Sequence, residues 1–337
     1  MVCKALLTAE ALARAPARPP AKGEKSRLPI GNAREHATQR RTLRCGLFLC
    51  FLSRRNSTST PSRNMLRAML LEFTKMNGAG NDFVLIDNRL HEISLTREQI
   101  VRLCDRHRCV GADGVILLIP CQSGKADWAW QFYNSDGSTG EMCGNGARCF
   151  ARFVQKCAGT NNDFTFETEA GVISAQFHGD RVTVNLTDPQ NLRLAQQLPL
   201  KTGMETVHSL NTGVPHAVLF VPDADRAMVQ QLGPEIRRHS HFAPKGTNVN
   251  FVQVLGRQHI RVRTFERGVE GETLACGTGV TASALIASHV HDFPSPIKVQ
   301  VQGGDRLEVS FRQQNGGFTD VRLTGPAEFA FEGKIHL

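Results

Sequence analysis

Gly140-Glu141-Met142-Cys143-Gly144-Asn145-Gly146 and Gly271-Glu272-Thr273-Leu274-Ala275-Cys276-Gly277-Thr278-Gly279 are two versions of one phrase: Gly-Glu, then a cysteine, then Gly-x-Gly at the head of an apolar segment. A cysteine placed there sits beside the free N–H groups and positive end of a helix, an environment expected to lower a thiol pKa toward neutrality. Two such thiols on opposite faces of one carbon suffice to invert a stereocentre, one removing a proton and the other returning it. The two cysteines stand 133 residues apart, which makes the repeat long enough to be a whole structural unit.

The segments around each cysteine follow the same order. Leu70–Met76 reads as a strand, Asn77–Asp82 as a turn and Phe83–Asp87 as its partner strand. A helix over Ser94–His107 is signalled by Thr96, early Glu98 and the apolar Ile100, Val101 and Leu103. Strands at Val115–Ile119 and Asp127–Asn134 lead to Cys143, and an amphipathic helix from Gly146 to Cys157 ends near Gly159. Strands at Phe164–Glu169, Val172–Phe177 and Arg181–Leu186 follow. The later half repeats the order with Ala217–Val221, Val249–Leu255 and Ile260–Phe265, Cys276, a helix over about residues 279–289, and strands at Ile297–Val301, Arg306–Phe311 and Phe318–Thr324. The expectation is an α+β protein made of a duplicated mixed α/β unit, with a ligand cleft between the halves.

Composition excludes several other classes. The chain has 337 residues, 41% hydrophobic and 21% charged, ordinary for a globular protein. Its net charge of +9 is misleading, because residues 1–64 hold 13 Lys and Arg against 3 Glu and the remainder is nearly neutral. With one Tyr and two Trp besides, that neutral body lacks the basic stripe and stacking surfaces of a nucleic-acid binder. The one apolar run in the leader, Gly46–Leu52, is far shorter than the about 20 residues a spanning helix needs. Residues 1–64 are therefore read as a disordered basic leader, or as translated upstream sequence before a start at Met65 or Met69. An organelle transit peptide is the competing reading. Ten cysteines with neither a Cys-x-x-Cys pair nor zinc-finger spacing imply free thiols in a reducing, cytoplasmic setting, and no metal.

A single Cys-Gly-x-Gly is usually a buried small residue at a tight turn; the matched pair is what argues for catalysis. Cys104, Cys109, Cys121, Cys149 and Cys157 lack that context and read as core or surface thiols. A disulfide between Cys143 and Cys276 would be an oxidised, inactive state. No pyridoxal or nucleotide is needed if backbone N–H groups of Gly144-Asn145 and Gly277-Thr278 hold a substrate α-carboxylate and stabilise charge as it spreads there.

Seven motifs in register resemble the diaminopimelate epimerases, from about Met69 to the C-terminus. They are Lys75–Phe83, Asn134–Ser138, Cys143–Cys149, Gly213–His216, Gly246–Phe251, Glu266–Gly268 and Ala275–Gly279. The resemblance implies a cofactor-independent isomerase of lysine biosynthesis that interconverts LL- and meso-diaminopimelate. Cys143 and Cys276 fall on its acid/base thiols, and Gly144, Asn145, Gly277 and Thr278 on its α-carboxylate site. Asn81, Asn134, Asn248, Glu266 and Arg267 fall on substrate-binding positions. Glu266 and His216 also fall on supporting positions.

The resemblance further implies a homodimer and two pseudo-symmetric domains, residues 69–188 plus 326–337 and residues 189–325. Two departures stand out: Gly114 replaces a substrate-contacting glutamine, and Val214 an asparagine, of some members. Arg267 offers a forked partner for a distal carboxylate, and Glu266 a partner for a distal ammonium. Proline or hydroxyproline racemases, of the same two-thiol kind, would leave both without work. A thiol redox module without turnover is the alternative outside enzymology.

Overall fold

The computed structural model describes residues 70–314 and 316–337, and the leader expected over residues 1–64 lies outside them. The first half runs β1 (Leu70–Gly78), β2 (Asn81–Asp87), α1 (Arg97–Cys104), β3 (Gly114–Pro120), β4 (Trp128–Asn134), α2 (Gly144–Ala158), β5 (Phe164–Thr168), β6 (Gly171–His178) and β7 (Arg181–Asn185). Next come β8 (Gln190–Leu200), β9 (Gly203–Asn211), β10 (Pro215–Phe220), α3 (Val229–Arg237), β11 (Asn248–Gly256), β12 (His259–Glu266) and a short β13 (Gly271–Thr273). The chain ends with α4 (Gly277–His291), β14 (Ile297–Val301), β15 (Arg306–Gln314), β16 (Gly317–Pro326) and β17 (Glu328–His336).

The duplication is present strand for strand. β1–β2 is antiparallel, β2–β3 parallel, β3–β4 antiparallel, β4–β5 parallel, and β5–β6–β7 antiparallel. β9–β10 is antiparallel, β10–β11 parallel, β11–β12 antiparallel, β12–β14 parallel, and β14–β15–β16 antiparallel. A parallel pair needs a crossover, and a helix supplies each one: α1 and α2 in the first half, α3 and α4 in the second. β17 returns to pair antiparallel with β1, as β8 does with β9, so each half gains one flanking strand. β7 and β16 pair antiparallel from Asn185↔Arg322 to Arg181↔Pro326 and join the halves.

Local chemistry explains the helix ends. Thr96 and Gln99 form a reciprocal capping box at α1, and α2 stops at Gly159 in the left-handed conformation, φ 64°. α2 packs on β1, β2, β3 and β7, while α4 packs on β9, β10, β11, β12, β14 and β15. Every residue of α4 from Gly279 to Ser288 is buried, which is why this helix is apolar on all sides. One core runs through both halves and includes Phe83, Phe150 and Phe166 together with Val262, Leu285 and Val299. β8, β9 and α3 were not expected from the sequence. α3 contains Gly233 and Pro234, both poor helix residues, and is held by Val229, Leu232 and Ile236 packing on Phe251 and Phe265.

Thr96→Ala removes the capping box and should cost about 1 kcal/mol. The expected reading is a lower urea midpoint at unchanged m-value.

Candidate active site

Cys143 and Cys276 are the N-cap residues of α2 and α4, both with extended backbone, φ −142° and −118°. The helix heads meet across the molecular junction. A Cβ placed on Gly277 would lie in ordinary contact with Gly144 Cα at 3.6 Å and Asn145 Oδ1 at 3.5 Å, so the heads sit at van der Waals distance, and a Cβ on either glycine would press on Leu323, at 3.0 Å from Gly144 and 3.2 Å from Gly277. The Asn145 amide donates to Ala275 O at 3.4 Å, tying the first helix head to the approach of the second.

A cavity of about 430 Å³ opens at this meeting point. Asn81, Asn134, Cys143, Gly144, Asn145, Asn248, Glu266, Arg267, Cys276, Gly277 and Thr278, all named from the sequence, line it. Val214 lines it too. A second space adjoins it, sharing Asn81, Asn134, Cys143, Glu266 and Arg267 and adding Arg106 and Asp113.

His216, the remaining predicted residue, is fully buried and stands one step behind the cavity. Its Nε2 lies 2.9 Å from Thr278 Oγ1, and Thr278 Oγ1 lies 3.5 Å from Cys276 Sγ. Asn250 fixes the direction of this chain. Its Oδ1 accepts from Thr264 Oγ1 at 2.9 Å, so its Nδ2 donates to Ala217 O at 3.0 Å and to His216 Nδ1 at 3.2 Å. Nδ1 is then the acceptor, leaving Nε2–H to donate to Thr278. Burial, reinforced by the charge of Arg267, pushes the His216 pKa down to about 3, so the ring is neutral at physiological pH. Sequence reading had passed over Asn250 as a site residue, although it falls within a quoted motif; its role rests on a contact 34 residues away.

On the other side, the Cys143 thiol donates to Asn81 Oδ1 at 3.5 Å, and Asn81 Nδ2 donates to Asp113 Oδ2 at 2.5 Å. Behind them, Arg106 binds Asp82 through both terminal nitrogens and reaches Asp113 at 2.7 Å. The buried Lys75 pairs with Asp82 at 2.9 Å and donates to Gly111 O. Burial alone would raise the Asp82 pKa, but Arg106 and Lys75 hold it far below the usual carboxylate range. Asn134 Nδ2 donates to Ser138 Oγ at 3.0 Å, and Asn248 Oδ1 accepts from the Arg267 backbone N–H at 2.7 Å.

The thiols depart from the sequence expectation. Burial pushes the pKa of both Cys143 and Cys276 up rather than down, and the Glu266 carboxylate pushes in the same direction. The N–H groups of Gly146 and Asn145 oppose this at Cys143, as do the Thr278 hydroxyl and the Gly279 N–H at Cys276, but burial outweighs them. The Glu266 carboxyl is itself raised by burial and by the nearby Asp113. Both cysteines are free thiols.

Gly114 has a structural explanation. A Cβ there would lie 2.6 Å from Tyr133 O and 2.8 Å from the Phe132 ring, so Phe132 already fills the space a side chain would take. Phe132 lines both spaces and gives the cavity an apolar wall in place of a polar contact.

Cys143 is half-buried whereas Cys276 is buried, and a thiol is alkylated as its thiolate. Iodoacetamide should label Cys143 before Cys276, with both rates rising with pH, as followed by peptide mass mapping.

The chain matches the family model described as diaminopimelate epimerase over residues 73–192 and 208–329. It is 43% identical over 279 residues to the diaminopimelate epimerase of Aquifex aeolicus, covering 79% of this chain and 98% of that relative. It is 42% identical to those of a Hydrogenobaculum species, covering 78% and 97%, and of Nitrosospira multiformis, covering 80% and 99%. Solved structures with the same fold include a Bacillus anthracis protein of the PhzF phenazine-biosynthesis family, TM-score 0.62 at 15% identity, covering 79% of this chain and 99% of that one. A hydroxyproline epimerase from Agrobacterium vitis gives 0.61 at 16%, covering 80% and 93%. The duplicated fold, the paired cysteines at facing helix heads and the match over both halves together mean that this chain belongs to the diaminopimelate epimerase family, a family of isomerases.

Proposed function

We propose that this chain interconverts LL- and meso-diaminopimelate with Cys143 and Cys276 as its acid/base pair. The observation that carries the reading is the pair of thiols at facing helix N-termini lining one cavity, one from each half. The α-carboxylate of the substrate sits on N–H groups of Gly144, Asn145, Gly277 and Thr278, which are orphan donors at the positive helix ends. One sulfur, as thiolate, takes the α-proton. The electron pair left on carbon spreads onto the carboxylate oxygens, where the same N–H groups hold it more tightly than they held the ground state. The other thiol gives its proton to the opposite face, and the two sulfurs have exchanged roles.

Neutral His216 supports Cys276 through Thr278, whose hydroxyl proton is free to point at sulfur once its oxygen accepts from Nε2. Arg267 takes the distal carboxylate and Glu266 the distal ammonium, with Asn81, Asn134 and Asn248 supplying neutral hydrogen bonds. That charged set favours diaminopimelate over proline, whose ring has no second charged end.

The same reading places the lobes at residues 69–188 plus 326–337 and residues 189–325, a division supported by the β1–β17 and β8–β9 pairings. A cytoplasmic homodimer is part of the proposal. The free thiols favour a reducing compartment, and β17 exposes Phe329 and Phe331, apolar surface that a second copy would cover. No helix among the described residues is long and apolar enough to cross a membrane.

In deuterated water with LL-diaminopimelate, the wild-type chain should carry label into the inverted centre without added cofactor. Cys143→Ala and Cys276→Ala should each lose at least about a hundredfold in epimerisation, the scale of acid/base catalysis. Retained epimerisation in either variant overturns the assignment. The pH dependence follows from the raised thiol pKa values: at neutral pH both are protonated and the base form is scarce. kcat/KM should therefore climb as pH rises through neutrality, and fall again once both thiols ionise and no acid remains.

A further inference from the structure

Arg148 heads the largest side chains that the fold buries completely, and nothing in the reaction above uses it. It stands on α2 one turn beyond Gly144. Its Nη1 donates to Gly144 O at 3.1 Å, its Nη2 to Asn145 Oδ1 at 2.9 Å and its Nε to Pro326 O at 3.2 Å. All three acceptors are neutral. Among the described residues it joins no ion pair. Its slot is cut into β16 by Gly325, where a Cβ would lie 2.9 Å from Nε and 3.0 Å from Cζ.

A buried charge without an ion-pair partner is among the costliest features a fold can carry. The titratable groups that act on Arg148 from a distance are Cys149, Cys143 and Asp305, which favour its charge, and Arg181, which opposes it. Arg148 stands behind two positive helix ends that already face one another. Three sources of positive potential converging on one cavity call for an anion inside it. The guanidinium also has a mechanical route to that cavity. It holds Asn145 Oδ1, Asn145 Nδ2 reaches Ala275 O, and Ala275 precedes Cys276. Arg148 is not among the residues lining the cavity, so it acts through Asn145 and through its field.

Resting on the proposed epimerase reading, we propose that Arg148 is an electrostatic positioning residue. It locks Asn145 between the two helix heads and supplies the fixed positive charge that favours the reacting site, in which one negative charge passes from thiolate to carbanion, over the resting site with substrate bound and both thiols protonated. Burial draws its pKa down only to about 10, so the charge persists at physiological pH. The field acts more strongly on the reacting state than on the ground state, and its loss falls mainly on kcat.

The test uses the full chain with LL-diaminopimelate and three proteins: wild type, Arg148→Gln and Arg148→Lys. The glutamine keeps hydrogen-bond donors and removes the charge; the lysine keeps the charge. Arg148→Gln should lose about a hundredfold in kcat, with KM changed by less than about tenfold. Arg148→Lys should stay within about tenfold of wild type at neutral pH. A buried lysine also deprotonates below its ordinary value of about 10.4. Arg148→Lys should therefore lose kcat on an alkaline ionisation that comes at clearly lower pH than that of Arg148 in wild type, and this reading holds even if Arg148→Gln does not fold. A folded Arg148→Gln with wild-type kcat, or an Arg148→Lys whose pH profile matches wild type, overturns the proposal. Absence of epimerisation by wild type would instead overturn the function on which it rests.

Discussion

Everything at the site depends on two helix N-termini being held head to head at contact distance. Helix heads are both positive, so the approach of Gly144 to Gly277 is electrostatically unfavourable on its own. The fold opposes that repulsion with the β7–β16 pairing, the continuous core beneath both helices and the Asn145 to Ala275 hydrogen bond. Glycines at the contact let the backbones approach, and the N-cap geometry aims one thiol from each head into the shared cavity.

The same closeness sets the electrostatics. A helix end favours a thiolate, but the packing that brings the two ends together also removes water from both sulfurs. Desolvation wins, and the resting thiols are neutral. A site built this way keeps both sulfurs protonated at rest, and a negative charge brought between the helix heads opposes their ionisation further, as Glu266 already does. Neutral His216, locked by Asn250 as an Nε2–H donor, then adds a hydrogen bond without adding charge.

Much of this was legible in the linear chain because it is repeated there. Strands with clear apolar runs, the Thr96 cap, the Gly159 stop and both cysteine phrases were read close to their observed limits. The elements that escaped notice lack a local signal. α3 carries Gly233 and Pro234 and is helical because its apolar face docks on Phe251 and Phe265. β8 alternates exposed and half-buried residues along most of its length and is defined by its pairing with β9. At the site, the residues lining the cavity were nameable from motifs, whereas the supporting roles of Asn250 and Arg148 were not. Their partners lie 33 and 34 residues away for Asn250, and for Arg148 range from the adjacent turn to Pro326.

The order of polar, apolar and glycine residues determined the duplicated architecture, the positions of the two thiols at helix starts and the family to which the chain belongs, because these follow from periodicity, capping chemistry and motif. Tertiary structure alone decided how strongly burial opposes ionisation of those thiols, which tautomer His216 adopts, and that Phe132 occupies the space beside Gly114. Each of these depends on distances between segments remote in sequence, and desolvation, hydrogen-bond direction and steric exclusion exist only once those segments are brought together.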